Sequence, residues 1–292
     1  MRLEPDASPE LRVAPRRHGP LRRSAVWTVE HVTAWLGGRA LYRRRHLAAG
    51  RFAVREERVA IRGLSPRLAG FTIAQLSDLH AGTFLREGDL AAVVEHANGL
   101  RPDLVVLTGD FITRHWSEAL LVRSDLARLR ARHGVFAVLG NHDYKDRAEA
   151  RIVASYAEVG VRFLCNQGVR LVDERGAFGL IGVEDIEESK QLDLAAARVG
   201  LSPDEPEIVL CHNPRGALPL ARSGADLVLS GHTHGSQLDL PWMRRAGPPH
   251  PGVRLQLGAT TLVVSRGLGV IGFPLRVGAP AELVVVRLEG GA

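Results

Sequence analysis

The chain has 292 residues, enough to bury a sizeable core in one large domain or two small ones. Hydrophobic residues make up 45% and charged residues 24%, the composition of an ordinary globular protein. Two cysteines are too few for a disulfide framework at this length, and no apolar run approaches the ~20 residues that a membrane-spanning helix needs.

The net charge of +6 lies in the first 50 residues, which hold ten arginines and four acidic residues. Prolines predict an irregular start, and residues 21–47 then follow the pattern of an amphipathic helix. Its apolar positions include Trp27, Val32, Trp35 and Leu36. Such an arm suits contact with an anionic membrane surface, although packing on the chain's own domain and a solvated leader fit the pattern equally. We therefore predict a basic arm at residues 1–50 and one domain at residues 51–292.

Short apolar runs alternate with longer amphipathic stretches in the first half of the domain. An extended segment and a turn-rich linker come first, at Phe52–Arg62 and Gly63–Gly70. Three strands are then predicted, at Phe71–Leu76, Leu104–Leu107 and Val135–Leu139. Helical periodicity lies between them, at Asp89–Ala97 and Glu118–Arg132. This β-α-β-α-β order predicts a mainly parallel sheet that binds ligands at the carboxyl ends of its strands.

Strands outnumber helices in the second half. Strands are predicted at Val169–Val172, Phe178–Val183, Glu207–Cys211, Leu227–Leu229, Arg254–Leu257, Thr261–Val264 and Leu283–Leu288. Helices are predicted at Leu192–Arg198 and Gly216–Ala221. A second sheet packed on the first, with helices outside both, accommodates this many strands.

Side chains that bind metal ions follow the three strands of the first half. Asp78 and His80 come after the first strand, and because residues two apart in an extended segment project to the same face, both can grip one ion. Asp110 follows the second strand, where its two oxygens can bridge two ions. Asn141 and His142 follow a glycine after the third strand, and a tight turn at that glycine would point both side chains into one crevice.

The second half supplies three further histidines. His212 follows one predicted strand, and His232 and His234 follow the next with a single residue between them. Any one of these residues could be a turn former or cap, but the whole set after successive strands is not expected by chance. Because imidazole and carboxylate ligands together suit Mn, Fe or Zn better than Mg or Ca alone, we expect a site for such ions.

The motifs Asp-x-His, Gly-Asp, Gly-Asn-His-Asp, His and Gly-His-x-His, in this order, resemble those of the calcineurin-like metallophosphoesterases over roughly residues 55–288. The segment from Ser265 to Glu282 is further similar to the bacterial subgroup of the phosphodiesterases YkuE and YaeI. The resemblance implies an α/β fold, a four-layer α/β/β/α sandwich of two mixed β-sheets flanked by helices. It also implies two divalent metal ions, Mn, Fe or Zn, and a metal-bridging hydroxide as nucleophile.

The resemblance also implies a role for each motif residue. The first metal would be bound by Asp78, His80, Asp110 and His234. The second metal would be bound by Asp110, Asn141, His212 and His232. His142 matches the family's histidine that contacts the phosphate and protonates the leaving oxygen. Asp143 would hold His142 in its orientation.

The expected function is hydrolysis of phosphoester bonds, as a phosphodiesterase or phosphatase, and the basic arm favours a phospholipid or lipid-linked substrate. Alternatives are a cytoplasmic nucleotide or phosphoprotein phosphatase and, because no motif residue is missing, less favourably a non-catalytic scaffold. Expected partners are the phosphoester substrate and a membrane surface touched by residues 1–50. No specific nucleic acid is expected, since the arm has no readout motif beyond charge. Because Glu30 and His31 interrupt the apolar stretch after Arg22 and Arg23, a cytoplasmic location is favoured over export.

Overall fold

A computed structural model of the chain describes residues 20–188, 192–239 and 253–291. The irregular start that the prolines predict, at residues 1–19, lies outside the described residues. Those residues carry a net charge of only +1, so most of the +6 of the predicted arm belongs to residues 20–50.

The first sheet has six strands in the order β1-β12-β2-β3-β4-β5. These strands are β1 (Ala53–Arg62), β2 (Thr72–Leu76), β3 (Leu104–Thr108), β4 (Val135–Val138), β5 (Val161–Phe163) and β12 (Glu282–Gly291). Strands β2 to β5 run parallel, whereas β12 runs antiparallel to β2 and parallel to β1. The carboxyl ends of β2, β3 and β4 therefore meet at one edge of the sheet.

The second sheet also has six strands, in the order β10-β11-β9-β8-β7-β6. These strands are β6 (Gln167–Asp173), β7 (Gly176–Gly182), β8 (Glu207–Leu210), β9 (Leu227–Ser230), β10 (Arg254–Leu257) and β11 (Thr260–Val264). The four inner strands are parallel and the two outer ones antiparallel. The inner strands β8 and β9 are almost uninterrupted apolar runs because both of their faces are covered.

Seven α-helices flank the sheets in the described ranges. They are α1 (Pro20–Trp35), α2 (Gly38–Tyr42), α3 (Ala91–Gly99), α4 (Arg123–Leu126), α5 (Glu149–Ala157), α6 (Leu194–Ala197) and α7 (Ala217–Arg222). A π-helical turn follows α2 at Arg43–Leu47, and short 3₁₀ turns lie at Pro66–Leu68, Trp116–Leu121, Pro214–Gly216 and His234–Ser236.

Alternate residues of each strand enter different apolar layers, and this alternation defines the architecture. In β3, Leu104 and Val106 pack between the two sheets, whereas Val105 and Leu107 pack under the helices of the first sheet. In β8, Ile208 joins the layer between the sheets and Val209 the layer beneath α7. Three apolar layers separate four layers of secondary structure, so the predicted α/β fold with two mixed, helix-flanked sheets is confirmed.

The helix predicted at Glu118–Arg132 is wrong. A 3₁₀ turn and the four residues of α4 replace it, and Val122 between them has φ −120°, outside the helical range. Tertiary contacts explain the break, because the Glu118 carboxylate accepts hydrogen bonds from backbone N–H groups of the preceding loop and buried Asp125 accepts one from Gly88. The sequence reading also missed α5 and β5, which complete the outer edge of the first sheet.

The amphipathic stretch at residues 21–47 is divided rather than continuous. Gly37, with φ 87°, ends α1 and begins α2. Tyr42 of α2 is fully buried and donates a hydrogen bond to the Leu268 carbonyl, so this part of the stretch packs on the body of the chain. Within the described ranges, no helix combines the length and the apolar character required to cross a bilayer.

Candidate metal centre

Five loops converge where β2, β3, β4, β8 and β9 end. Backbone hydrogen bonds join neighbouring loops: the Asp78 N–H donates to the Gly109 carbonyl at 2.9 Å, and the His80 N–H donates to the Asp110 carbonyl at 3.0 Å. In the second sheet, the Gly231 N–H likewise donates to the His212 carbonyl at 2.9 Å. Residues far apart in sequence are therefore fixed next to one another at the edge where parallel strands end.

The backbone of these loops is strained. Asp78, His80, Asp110, His232 and His234 all have positive φ, between 45° and 72°. The left-handed region costs a non-glycine residue roughly 1–3 kcal/mol and persists where the surroundings enforce it. The extended geometry predicted for Asp78 and His80 is thus wrong, because tight turns rather than strand alternation aim both side chains at the same point.

Two glycines allow the loops to approach so closely. A Cβ atom at Gly140 would collide with the carboxylate and backbone nitrogen of Asp110, and one at Gly231 would collide with the side chains of Ser77 and Asp78. Only a residue without a side chain fits at either position. The expectation that a small residue is needed before Asn141 holds for this reason.

One group of ligand atoms lies around the side chain of His80. Its Nε2 is 2.9 Å from the Nε2 of His234 and 3.4 Å from Oδ2 of Asp110. The Nε2 of His234 is in turn 3.5 Å from Oδ1 of Asp78. The ligand atoms of Asp78, His80 and His234 all lie within 4.8 Å of one another, close enough to hold a single ion.

A second group lies on the other side of Asp110. The Nε2 of His212 is 3.3 Å from the same Oδ2 of Asp110 and 3.3 Å from Nδ1 of His232. That Nδ1 is also 2.9 Å from Oδ1 of Asn141. Asp110, His212 and His232 again have ligand atoms within 4.8 Å of one another. The carboxylate of Asp110 therefore lies between two sets of imidazoles.

The lowered pKa values of His80, His232 and His234 fit metal binding, which requires neutral imidazoles, whereas, despite burial, the Asp110 carboxylate raises the pKa of His212 well above its usual range. Burial lowers the pKa of His80 and His234 well below the usual range, and it lowers the pKa of His232 to about 3. The Nδ1 of His212 lies 2.6 Å from the Thr108 carbonyl, which fixes the ring with its Nε2 towards Asp110.

The carboxylates of Asp78 and Asp110 are buried, yet among the described residues neither forms an ion pair with an arginine or a lysine. Burial raises the pKa of Asp78 to about 6, which means that the ionised form lacks a compensating charge there. Buried carboxylates and imidazoles facing one another at 2.9–3.5 Å are the donor set that a divalent cation neutralises. The residues present therefore fit the metal ions that the motifs predict.

His142 lies beside the first group, with its ring edge-on to His80 at a centroid distance of 4.5 Å. Its backbone N–H donates to Oδ1 of Asp110 at 2.8 Å, and its Nδ1 is 2.9 Å from the Thr113 carbonyl. Because a carbonyl only accepts, Nδ1 carries the proton and Nε2 of the neutral ring is left as an acceptor. Burial lowers the pKa of His142 to about 3.

Among the described residues, the carboxylate of Asp143 forms hydrogen bonds with backbone N–H groups and none with the imidazole of His142. It accepts from the backbone N–H groups of Gly140, Asp110, Phe111 and Ile112, at 2.8–3.2 Å. Asp143 therefore fixes the loop of Asp110 against its own loop. The orientation predicted for it is supplied by Thr113 instead, and Asp143 acts on His142 only through the backbone.

The structure adds residues that the motifs did not indicate. Glu187 accepts a hydrogen bond from Asn213 at 3.0 Å, and its carboxylate lies 3.9 Å from Nε2 of His232. Arg276 is buried, donates to several backbone carbonyls and lies 3.2 Å from Nδ1 of His234. Glu187 belongs to none of the motifs, so only its position in the fold connects it with the site, whereas Arg276 lies in the segment from Ser265 to Glu282 that resembles the bacterial subgroup.

Comparison with known proteins agrees with this geometry. A family model for calcineurin-like phosphoesterases matches residues 71–236. The chain is 33% identical over 256 residues to the transmembrane protein with metallophosphoesterase domain of Bos taurus, covering 81% of this chain and 57% of that protein. It is 31% identical over 231 residues to the metallophosphoesterase YkuE of Bacillus subtilis, covering 75% of this chain and 79% of YkuE.

A third relative has a named substrate. The chain is 29% identical over 282 residues to the UDP-2,3-diacylglucosamine pyrophosphatase LpxG of Chlamydia muridarum, covering 75% of this chain and 84% of LpxG. Several relatives are longer, and the chain spans 57% of the bovine protein and 59% of one from Campylobacter jejuni. Since the family model covers more than half of the residues, the chain belongs to the calcineurin-like phosphoesterase family.

Proposed function

We propose that the chain hydrolyses phosphoester bonds with two divalent metal ions held around Asp110. Asp78, His80, Asp110 and His234 would bind one ion, and Asp110, Asn141, His212 and His232 the other. When bound, such ions supply a water nucleophile at neutral pH and neutralise the phosphoryl oxygens. The observation that carries the proposal is that two groups of three residues, drawn from four of the five loops, each have ligand atoms within 4.8 Å of one another. Asn141 of the fifth loop lies 2.9 Å from His232 of the second group.

The side chains around the metals perform the remaining tasks. Thr113 holds the Nδ1–H of His142, so a ring that is also protonated on Nε2 can pass that second proton to the leaving oxygen and return to its neutral tautomer. Asp143 keeps Asp110 and His142 in register through the backbone. The buried walls of the cleft exclude bulk water and strengthen each of these interactions.

A substrate screen tests this function directly. Metal-stripped protein would be supplied with Mn, Zn, Fe or Mg and assayed on bis-p-nitrophenyl phosphate and on p-nitrophenyl phosphate. We expect turnover of at least one ester with Mn, Zn or Fe, and the ratio of the two rates distinguishes a diesterase from a monoesterase. No turnover with any ion would support the non-catalytic scaffold instead.

We further propose a lipid-linked substrate and peripheral contact of residues 1–50 with an anionic membrane, at a cytoplasmic location. The outward face of α1 supports this, because Trp35 is 84%, Leu36 69% and Trp27 50% exposed. Glu30, the one acidic residue between Ser24 and Leu36, points inward instead and is buried. Apolar side chains outward and the charge inward is the pattern of a helix that lies on a bilayer.

Charge next to α1 favours anionic lipid over a protein partner. Arg43, Arg44 and Arg45 directly follow α2 and are exposed, which complements anionic headgroups. Glu30 forms an ion pair with Arg114, whose loop also supplies the Thr113 carbonyl to His142. The proposed membrane face is therefore fixed next to the metal centre. The named lipid-derived substrate of LpxG agrees with this proposal.

Vesicle binding tests the membrane proposal. The full chain should co-sediment with phosphatidylglycerol vesicles at low salt, bind phosphatidylcholine vesicles less, and lose most binding in a Trp35→Ser, Leu36→Ser variant. Val199→Ser is the matched control, because Val199 is 78% exposed and follows α6 on the second sheet. Equal sedimentation of both variants would contradict the membrane proposal. If the double substitution instead abolished dimerisation, the exposed face would be assigned to a second copy of the chain. Either result would favour a nucleotide or phosphoprotein substrate.

A further inference from the structure

Lys145 lies at the mouth of the metal centre in the turn after β4. Its Nζ is 2.6 Å from Nε2 of His142, and its backbone N–H donates to the His142 carbonyl at 3.2 Å. The chain contains 38 arginines and lysines, of which Lys145 and Lys190 are the only lysines. A compact ammonium therefore stands at this point of the cleft in a chain that uses arginine almost everywhere else.

The tautomer of His142 gives this contact a direction. Because Nδ1 donates to the Thr113 carbonyl, Nε2 of the neutral ring has a free lone pair and accepts a hydrogen bond from the ammonium. Nε2 is also the atom that would meet the leaving oxygen of a substrate. An oxygen that binds to Nε2 therefore arrives within hydrogen-bonding reach of Nζ.

The charges around Lys145 leave its hydrogen-bonding capacity available. No carboxylate oxygen lies within 4.0 Å of Nζ among the described residues, and His142 is its one side-chain partner there. Asp110, Asp143 and Glu188 attract the ammonium from further away, and Arg114 repels it. Burial lowers the pKa of Lys145 to about 8 despite the attraction of these carboxylates, so the side chain is still mainly charged at neutral pH.

We propose that Lys145 is a further catalytic residue, whose ammonium donates a hydrogen bond to the leaving oxygen beside His142. The inference rests on the proposed hydrolysis and adds a residue to it. In that reaction the water oxygen forms a bond to phosphorus, and the bond from phosphorus to the leaving oxygen breaks. The leaving oxygen receives a proton from Nε2 of His142 in its imidazolium form, and the ring returns to the neutral tautomer with its proton on Nδ1. The proton lost by water returns to His142 through solvent, while Lys145 keeps its own protons and stabilises the negative charge that builds on the oxygen.

This role predicts a dependence on the leaving group. Phenol is a poorer leaving group than p-nitrophenol, so more charge must be stabilised on the leaving oxygen of diphenyl phosphate than on that of bis-p-nitrophenyl phosphate. A charge-assisted hydrogen bond corresponds to about 10- to 100-fold in rate. We therefore expect Lys145→Met to lower kcat for diphenyl phosphate by about 10- to 100-fold and kcat for bis-p-nitrophenyl phosphate by clearly less.

The experiment compares kcat for both diesters in metal-loaded wild type, Lys145→Met, Lys145→Arg and Arg67→Met. Arg67 is exposed in the 3₁₀ turn before β2, so its variant controls for the loss of one surface charge. Lys145→Arg keeps the positive charge, so its kcat for diphenyl phosphate should fall less than that of Lys145→Met. Equal losses on both diesters, or no loss, in Lys145→Met would overturn the proposal.

A binding measurement separates failure of this inference from failure of the proposed function. Inorganic phosphate places an oxygen beside Nε2 without any turnover, so calorimetry should show about 10-fold weaker phosphate binding in metal-loaded Lys145→Met and none of this loss in Arg67→Met. Unchanged phosphate affinity would overturn the role of Lys145 even in an active enzyme. Weaker phosphate binding in a protein that hydrolyses neither diester would contradict the hydrolysis and retain Lys145 as a phosphate contact.

Discussion

The two ends of the paired sheets stabilise buried carboxylates in opposite ways. At the amino ends, Arg175 in the turn between β6 and β7 donates to Asp173 at 2.9 Å and also to Asp103, which precedes β3. This arginine joins the two sheets, and His133 adds a further contact to Asp173 at 2.8 Å. At the carboxyl ends, Asp78 and Asp110 face imidazoles and backbone N–H groups instead. The chain thus supplies its own positive charges at one end, whereas at the other end we propose that metal ions from solution supply them.

The difference between the two ends of the sheets should be largest in its effect on catalytic activity. Asp110→Asn removes the charge shared by both ligand groups, so we expect activity on bis-p-nitrophenyl phosphate to fall on the order of 10⁴-fold. Asp173→Asn, the matching change at the amino ends, should leave activity within about twofold. Steady-state kinetics of both variants checks the contrast, and similar losses in both would remove the distinction between the two ends.

His142→Ala separates proton transfer from metal binding. The ring is outside the two ligand groups proposed for the ions, so the variant should keep its metals and lose roughly 10²–10⁴-fold in kcat. Metal analysis of the purified variant beside its kinetics provides the test. An unchanged rate would exclude His142 from the reaction, and a loss of bound metal would make it a ligand.

Removal of the metal ions should lower the stability of the protein, because the site at the carboxyl ends of the strands loses its bound ions. Ions that bind only the folded chain contribute about 2.7 kcal/mol at a free concentration 100 times their dissociation constant. Thermal unfolding of chelated and metal-loaded wild type should therefore differ by several degrees, and the same comparison in Asp110→Asn by much less. A metal-dependent shift of equal size in Asp110→Asn would place the stabilising ions elsewhere.

The smallest expected effect is that of a substitution at the amino ends of the strands on stability, and this effect should depend on pH. Hydrogen bonds from Arg175 hold the pKa of Asp173 well below its usual range. A lowered folded-state pKa contributes stability above the unfolded value of about 3.9, and this contribution is lost as the pH falls below it. We expect Asp173→Asn to lower the free energy of unfolding by about 1–3 kcal/mol from pH 5 to 8 and by progressively less as the pH falls from about 4 towards the lowered pKa of the folded state. Urea unfolding measures both, and a difference that is independent of pH would contradict the ion pair.

Sequence reasoning reached the fold because strand periodicity is a local property. The apolar runs at β2, β3, β8 and β9 needed no knowledge of their neighbours. It failed at Glu118–Arg132, where Glu118 caps the preceding loop and Asp125 binds Gly88, because helical periodicity cannot reveal such contacts. The short strand β5 was missed for a related reason, since three residues carry too little pattern to be distinguished.

At the site, the sequence predicted which residues the structure brings together, but it could not predict how they are positioned. The seven proposed ligands follow strands, and strand ends are visible in the sequence. The strained turns at Asp78 and His80 and the Thr113 carbonyl behind His142 depend on backbone conformation, which side-chain spacing does not report. Lys145 belongs to no motif, and the role proposed for it rests on the 2.6 Å distance between its Nζ and Nε2 of His142.

Metal stoichiometry tests the central claim most directly. Wild type and Asp110→Asn would each be stripped, reloaded with Mn, Zn or Fe, freed of unbound ions and analysed for metal per chain. Two ions in wild type, and one or none in Asp110→Asn, is the result that we expect. No bound ion in wild type, or two retained without the Asp110 carboxylate, would contradict a dinuclear centre built around that residue.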